Sequence, residues 1–324
     1  MNAWYVSHLV LVQATFISFL LALSIQVPLR AGVFSFAGIG SYAIGAYTAA
    51  ILTIRAQLAP ILAIGAGVVL AAVAGWLLAL LVARLSGLYL GMATIAFALF
   101  LAVVATNGGD LTGGATGLYG ALSTLTTGHV IAIVLVVVVL LAVSERGAFG
   151  RRIDAVREDP QLAVSLGVDV NRVRRRVFVI SGALGACAGG MNTLLRTTVS
   201  PETIGFHLVV TALTMIIVGG ALSWAGAAIG AVIFTWLPSL LQIAGDWQPL
   251  VYGLLVAFAA VYVPTGLLGL AQSGWRRVRA GRRRVPPEGA GAPVSTPAAA
   301  AADPEAEAEQ TLAALGNPAT EVRS

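Results

Sequence analysis

Apolar residues along this chain do not alternate with polar ones. They run on continuously, repeatedly for roughly 18 to 24 positions, which is long enough for a helix to cross a bilayer core of about 30 Å. The runs fall at 9–27, 30–52, 61–83, 88–105, 130–143, 177–195, 208–218, 227–243 and 248–270. They predict an all-α polytopic membrane protein with about nine transmembrane helices. The count is open between eight and ten, because the Gly-rich second run and the short 208–218 run also suit re-entrant segments. Unbroken runs exclude a β-barrel, whose strands alternate apolar and polar positions.

One polar stretch interrupts the pattern, SERGAFGRRIDAVREDPQLAVSLGVDVNRVRRR at 144–176, with apolar runs on both sides. Asp159-Pro160 reads as an N-cap followed by proline at the first helical position, so a short helix is expected over 161–166. Gly167 suits the left-handed position that ends a helix. A second short helix is expected over 150–158, where Ile153 and Val156 share a face at three-residue spacing. The segment 145–176 is thus expected to be a structured polar island shaped to be held by a partner. A charged loop that only sets membrane topology would have the same composition.

Small residues recur where helices must approach closely. Gly32, Gly38, Gly40 and Gly45 crowd the second run, and Gly182, Gly185 and Gly189 line one face of the run after the island. Gly226 and Gly230 carry the small-xxx-small spacing. In the second run, a Gly/Ser-rich helix that lines a polar path is the competing reading.

Composition and charge fix the class and the orientation. The chain of 324 residues is 58% hydrophobic and 10% charged, which excludes a soluble domain. All 19 basic residues are arginine and most adjoin apolar runs, so the net charge of +5 is a topology signal and points to no nucleic acid. Placing the island and the cluster Arg276–Arg284 in the cytoplasm puts the N-terminus outside. The membrane-spanning body is expected at 1–274. The remainder, 275–324, divides into a basic juxtamembrane segment against anionic headgroups and a disordered Ala/Pro/Glu tail. Cys187, the single cysteine, is expected to be a packing residue.

The available chemistry is narrow. No run carries a charge in its middle, which argues against a proton-driven carrier. With no lysine there is no P-loop, so an ATPase driving this chain would be another polypeptide. His8, His129 and His207 are widely separated and suit interfacial packing better than a metal site. No catalytic constellation and no metal cluster can be assembled, so the chain is read as a non-enzyme. A passive channel or a sodium-coupled carrier stays open on these grounds.

Four collinear stretches resemble one family. GRRIDAVREDPQLAVSLGVDVNRVRRRVFVISGALGACAGG (150–190) looks like the cytoplasmic signature of the permease subunits of branched-chain amino acid ABC importers, of the LivM type. SFAGIGSYAIGAYTAA (35–50), RLSGLYLGMATIAFA with LTGGATGL (84–98 and 111–118), and SPETIGF with IIVGGALSWAGAAIGA (within 200–231) are similar to the same family in the same order. The resemblance covers about 10–272. Gly38 stands where relatives often carry a polar residue, and Leu222 departs from the family's GGxGS pattern.

The resemblance implies an inner-membrane, multi-pass subunit paired with a second permease subunit, expected as a heterodimer. Two cytoplasmic ATPases would hold ATP and magnesium, this chain binding no cofactor, and an extracytoplasmic solute-binding protein would deliver substrate. The implied ATPase-coupling residues are Gly150, Arg151, Arg157, Glu158, Asp159, Ala163, Leu166 and Gly167. The implied cargo is a branched-chain amino acid, with urea and short-chain amides as alternatives because their importers use similar permeases. Ser35, Phe36, Thr94, Phe97, Thr112, Gly113 and Gly114 are the pathway candidates. Aromatic and aliphatic groups suit an apolar substrate side chain, and hydroxyl and backbone groups suit a zwitterion. Each could equally be a helix-packing contact.

Overall fold

The computed structural model describes residues 3–254, apart from 222, 242–244, 246, 248, 249 and 252. Most of the expected run 248–270, the arginine cluster 276–284 and the tail lie outside the described residues. The described residues belong to one compact unit spanning 1–277.

Among the described residues ten helices are defined: α1 (Ala3–Arg30), α2 (Ala37–Arg55), α3 (Pro60–Leu81), α4 (Gly87–Asn107), α5 (Thr127–Arg146), α6 (Ala148–Glu158), α7 (Pro160–Ser165), α8 (Val170–Arg196), α9 (Phe206–Gly219) and α10 (Trp224–Leu240). Seven stretches among the described residues are long and apolar enough to cross a membrane, and α10 is a shorter apolar helix. The end of α1, the end of α5 and the start of α8 meet at one face, which carries α6 and α7. At the opposite face the end of α8 leads into β2 (Thr198–Val199), which pairs antiparallel with β1 (Leu118–Tyr119) through Leu118↔Val199 and Tyr119↔Thr198.

Helix α8 is the axis of the bundle, packed on α2, α3 and α1. Of its apolar stretch 78% is buried, and 72% of that of α2, against 28% for α4 and 17% for α5. The outer helices therefore offer their side chains to lipid or to another subunit. The glycine stripe explains the close core: a Cβ at Gly185 would overlap the Gly38 carbonyl, one at Gly189 the Tyr42 carbonyl, and one at Gly45 the Ala186 backbone. Each such glycine costs a helix about 1 kcal/mol relative to alanine. Backbone-to-backbone contact over several turns is what that cost supports, as in membrane helix pairs generally. Gly38, the departure from the family pattern, is filled on one side by Ser24 and on the other by α8.

A proline strengthens the same junction. Pro28 has no N–H, so the carbonyl of Ser24, four residues earlier, loses its helical donor. Ser181 Oγ of α8 donates to that carbonyl at 2.6 Å, while Ser24 Oγ donates to Leu21 O at 2.7 Å. The helix therefore continues through Pro28 to Arg30, where the sequence suggested closure.

Two boundaries move relative to expectation. The second run begins its helix at Ala37, because 31–36 turn sharply: Val33 N donates back to Pro28 O at 2.9 Å, and Ser35 Oγ accepts from Ala37 N at 3.2 Å. The helix after the island starts at Val170, seven residues early, because the Asp169 carboxylate accepts from Arg172 N at 2.9 Å and caps it. Arg172 and Arg174–Arg176 thus ride on the first two turns of α8. The runs 208–218 and 227–243 become α9 and α10, an antiparallel pair of 14 and 17 residues, about 21 and 26 Å long. Thr235 Oγ1 donates to Ser18 Oγ at 3.2 Å and Trp236 Nε1 to Thr15 Oγ1 at 3.0 Å. Trp236 also stacks on His8 near the start of α1, so α10 returns toward the face from which α9 departed.

The Ser181 bond yields a test. Ser181→Ala strands a buried carbonyl and is expected to cost about 1 kcal/mol. In a Pro28→Ala background the carbonyl regains its own helical donor and the same change should be nearly neutral. Loss of monodisperse protein on heating in detergent measures both; equal losses in the two backgrounds would disprove the coupling.

Candidate functional site

The island folds as expected into two short helices. The buried face of α6 is Gly150, Ile153 and Val156, seated beneath α1, α5 and α8. Asp154 approaches Arg30 of α1 at 3.9 Å, and a Cβ at Gly32 would lie 3.3 Å from the Arg157 backbone. The far end of α6 is thereby held against the end of α1.

Helix α7 has only six residues and cannot persist on propensity alone. Both of its ends are closed instead. Asp159 Oδ1 accepts from Gln161 N at 2.8 Å and Leu162 N at 3.1 Å, with Pro160 preset for the first turn. At the other end Gly167, with φ of +81°, donates to Val164 O and Val168 donates to Ala163 O, each at 2.9 Å. That paired closure needs a left-handed residue, which only glycine supplies without strain. Ala163 is buried against the platform, whereas Leu162, Val164 and Leu166 are 57%, 60% and 69% exposed. Three large apolar side chains are thus held out from a charged surface by a doubly capped helix, as an exposed apolar knob.

The eight coupling candidates divide around this knob. Arg151, Glu158, Asp159, Leu166 and Gly167 are exposed, Arg157 is half-buried, and Gly150 and Ala163 are buried supports. Leu162 and Val164 join the exposed set.

The pathway candidates fall along the seam between α2 and α4. Phe36 N donates to Thr94 Oγ1 at 2.9 Å, and that hydroxyl donates back to its own helix at Leu90 O and Gly91 O. Ser35, Phe36 and Thr94 are thus gathered and buried, with both hydroxyls engaged within the protein. Phe97 lies against Gly40, one helical turn further on. Thr112 lies at the opposite face, beyond the end of α4. Gly113 and Gly114 form a tight turn there, in which Thr116 Oγ1 donates to Gly113 O at 2.8 Å.

At that end the seam opens into a cavity of about 100 Å³ lined by Ala43, Ile44, Tyr47, Leu101, Val104, Ala105 and Thr112. The Tyr47 hydroxyl and Thr112 Oγ1 are both buried without a hydrogen-bond partner. The wall of this cavity is wholly apolar, so the two unpaired hydroxyls are enclosed behind it. Tyr47 was not among the sequence candidates; the only available signal was a phenol inside a Gly/Ala-rich helix. Just above it Arg55 donates to the Asp110 carbonyl, tying the end of α2 to the loop that carries Thr112. The three histidines are engaged locally: His8 stacks on Trp236 at 5.7 Å, His129 lies 2.6 Å from Thr126 Oγ1 at the start of α5, and His207 lies 3.5 Å from Thr211 Oγ1.

A multi-pass helical bundle with a capped, apolar-tipped knob on one face has the architecture of a membrane transport subunit. Residues 8–263 match the family "Branched-chain amino acid transport system / permease component", and the chain belongs to that family. It is 27% identical over 267 residues to the high-affinity branched-chain amino acid transport permease LivM of Escherichia coli, with 72% of this chain and 63% of that protein covered. It is 30% identical over 156 residues to a probable branched-chain amino acid transport permease LivH of Methanocaldococcus jannaschii, covering 45% and 48% respectively. It is 32% identical over 139 residues to the fructose import permease FrcC of Rhizobium meliloti, covering 40% and 38%. The chain thus spans less than two thirds of the LivM relative's length. No solved structure matches it.

The caps of α7 make a direct prediction. Asp159→Ala removes two hydrogen bonds and is expected to cost the helix about 1 kcal/mol, within a range of roughly 0.5–2. Amide exchange over 161–167 should accelerate several-fold while exchange in α8 stays as in the native chain. Unchanged exchange at 161–167 would show that the cap does not hold the knob.

Proposed function

We propose that this chain is the transmembrane permease subunit of an ATP-binding cassette importer for branched-chain amino acids or similar small polar solutes. A solute-binding protein outside would deliver the cargo, a second permease subunit would pair with this one, and two cytoplasmic ATPases would supply the drive. The observation that carries the reading is α7. Its exposed Leu162, Val164 and Leu166, framed by Arg151, Glu158 and Asp159, suit a cleft on a partner protein. Neither a passive channel nor an autonomous sodium-coupled carrier has use for such a knob.

On this reading α6 and α7 face the cytoplasm, where positive residues concentrate. ATPase closure presses on α7, and α8 carries the displacement as one uninterrupted helix into its contacts with α2. The seam between α2 and α4 then changes width, which is an alternating-access motion driven from one end. The cargo's aliphatic side chain fits the wall of Ile44, Leu101 and Val104. The Tyr47 and Thr112 hydroxyls hydrogen-bond its polar end.

Glu158→Arg combined with Gly167→Leu reverses a charge beside the knob and strains its closing turn. Tagged wild-type chain should co-purify with a nucleotide-hydrolysing P-loop ATPase, and the membrane-inserted double variant should lose it. A wild type that captures no ATPase would end the importer reading. Tyr47→Phe should leave ATPase capture intact and raise the KM for leucine uptake in vesicles roughly tenfold, the worth of one hydrogen bond to a charged group. Competition by urea or acetamide, with no competition by valine, would reassign the cargo.

A further inference from the structure

The arginines at the start of α8 line a cavity that the transport reading does not use. It measures about 560 Å³ and lies between α3, the end of α5, the start of α6 and α8. Its walls include Trp76, Phe149, Arg172, Arg175, Arg176 and Ile180. Among the described residues one carboxylate pairs with these arginines: Asp169 Oδ2, 3.4 Å from Arg172 Nε. Arg175 Nε reaches only its own helix, at Asn171 O, 3.4 Å away. On the far side of Arg175 a second cavity of about 270 Å³ is lined by Arg174, whose Nε is buried without a partner.

The apolar half of the large cavity leads onto exposed apolar helix surface. Trp76 is partly exposed near the end of α3, and Val73 and Val69 extend its face toward the membrane interior at helical spacing, 50% and 65% exposed. Across the gap Val139, Leu140 and Val143 of α5 are exposed as well. Among the described residues α3 and α5 are not packed extensively on one another, and α8 forms the floor of the gap through Val179 and Ile180. The result is a cationic pocket at the level of the headgroups, with an interfacial tryptophan at its rim and an apolar groove running down from it.

We propose that this cavity binds an anionic phospholipid from the leaflet on the side of α6. The headgroup phosphodiester meets Arg175 and Arg176, and one acyl chain follows the groove between α3 and α5. A phosphate oxygen accepts several N–H donors at once from planar guanidinium groups, which a point charge cannot match. The wall chemistry favours a lipid over a soluble anion, because half of it is aliphatic or aromatic and opens to the bilayer. Basic pockets between membrane helices at this level are suited to such headgroups. The bound lipid would fill the space between α3 and α5 at the point where α8 leaves the island.

The test uses the full chain in phosphatidylcholine vesicles with trace spin-labelled phosphatidylglycerol or phosphatidylcholine. Wild type should immobilise the phosphatidylglycerol probe preferentially, and Arg175→Gln with Arg176→Gln should remove that preference, roughly fivefold for each charge lost. Arg175→Lys with Arg176→Lys keeps the charge but not the planar donor fork, and should retain only part of it. Arg84→Gln with Arg152→Gln removes two exposed arginines outside this cavity and should leave it unchanged. Equal loss in that last pair would reduce the effect to general surface charge and overturn the proposal. Displacement of the probe by inorganic phosphate but not by chloride at equal ionic strength would make the cavity a soluble-anion site, and so would overturn it. Unchanged lipid preference with loss of ATPase capture in the glutamine pair would assign these arginines to a protein interface.

Discussion

The closest constraint in this protein is the approach of α8 to α2. Within a membrane, burial of aliphatic side chains gives helices little reason to associate, since lipid tails are equally apolar. What remains is the quality of backbone contact and the satisfaction of polar groups. Gly185 and Gly189 bring α8 against the carbonyls of Gly38 and Tyr42. Ser181 then gives its proton to the carbonyl that Pro28 leaves open in α1. Three helices are locked by groups that have no second choice of partner in a dry interior.

That lock gives the island its mechanical meaning on the importer reading. The cap of α8 at Asp169 is part of the same polar surface as α7, and the helix runs unbroken from there to Arg196. A push on the knob crosses only the short link 166–169 before it enters α8. It reaches α2 as a rigid displacement, and α2 is one wall of the seam whose other wall is α4. Because the outer faces of α3, α4 and α5 carry large exposed aliphatic and aromatic side chains, the motion takes place against lipid or a second subunit.

Hydroxyl groups along the seam serve two different purposes. Those of Ser35 and Thr94 close the sharp turn into α2 and are already bonded. Those of Tyr47 and Thr112 are buried and unpaired behind the wall of a small apolar cavity. A hydroxyl in an apolar setting without a partner is held at a cost, which on the importer reading a passing solute that supplies the partner would recover.

What the residue string determined by itself was local. Continuous apolar runs gave the helical membrane class, because the bilayer demands a length of apolar helix and nothing else. Asp159, Pro160 and Gly167 gave the ends of α7, because capping acts over three or four residues. The glycine spacing gave the packing face of α8. The tertiary structure alone decided which carbonyl Ser181 would meet 157 residues away, and that Tyr47 and Thr112 would share one cavity. It also decided that Arg172, Arg175 and Arg176 belong to α8 and share a cavity with Trp76. Those pairings depend on the fit of irregular helix surfaces in three dimensions, and neither hydropathy nor spacing along one chain encodes which surface will lie against which.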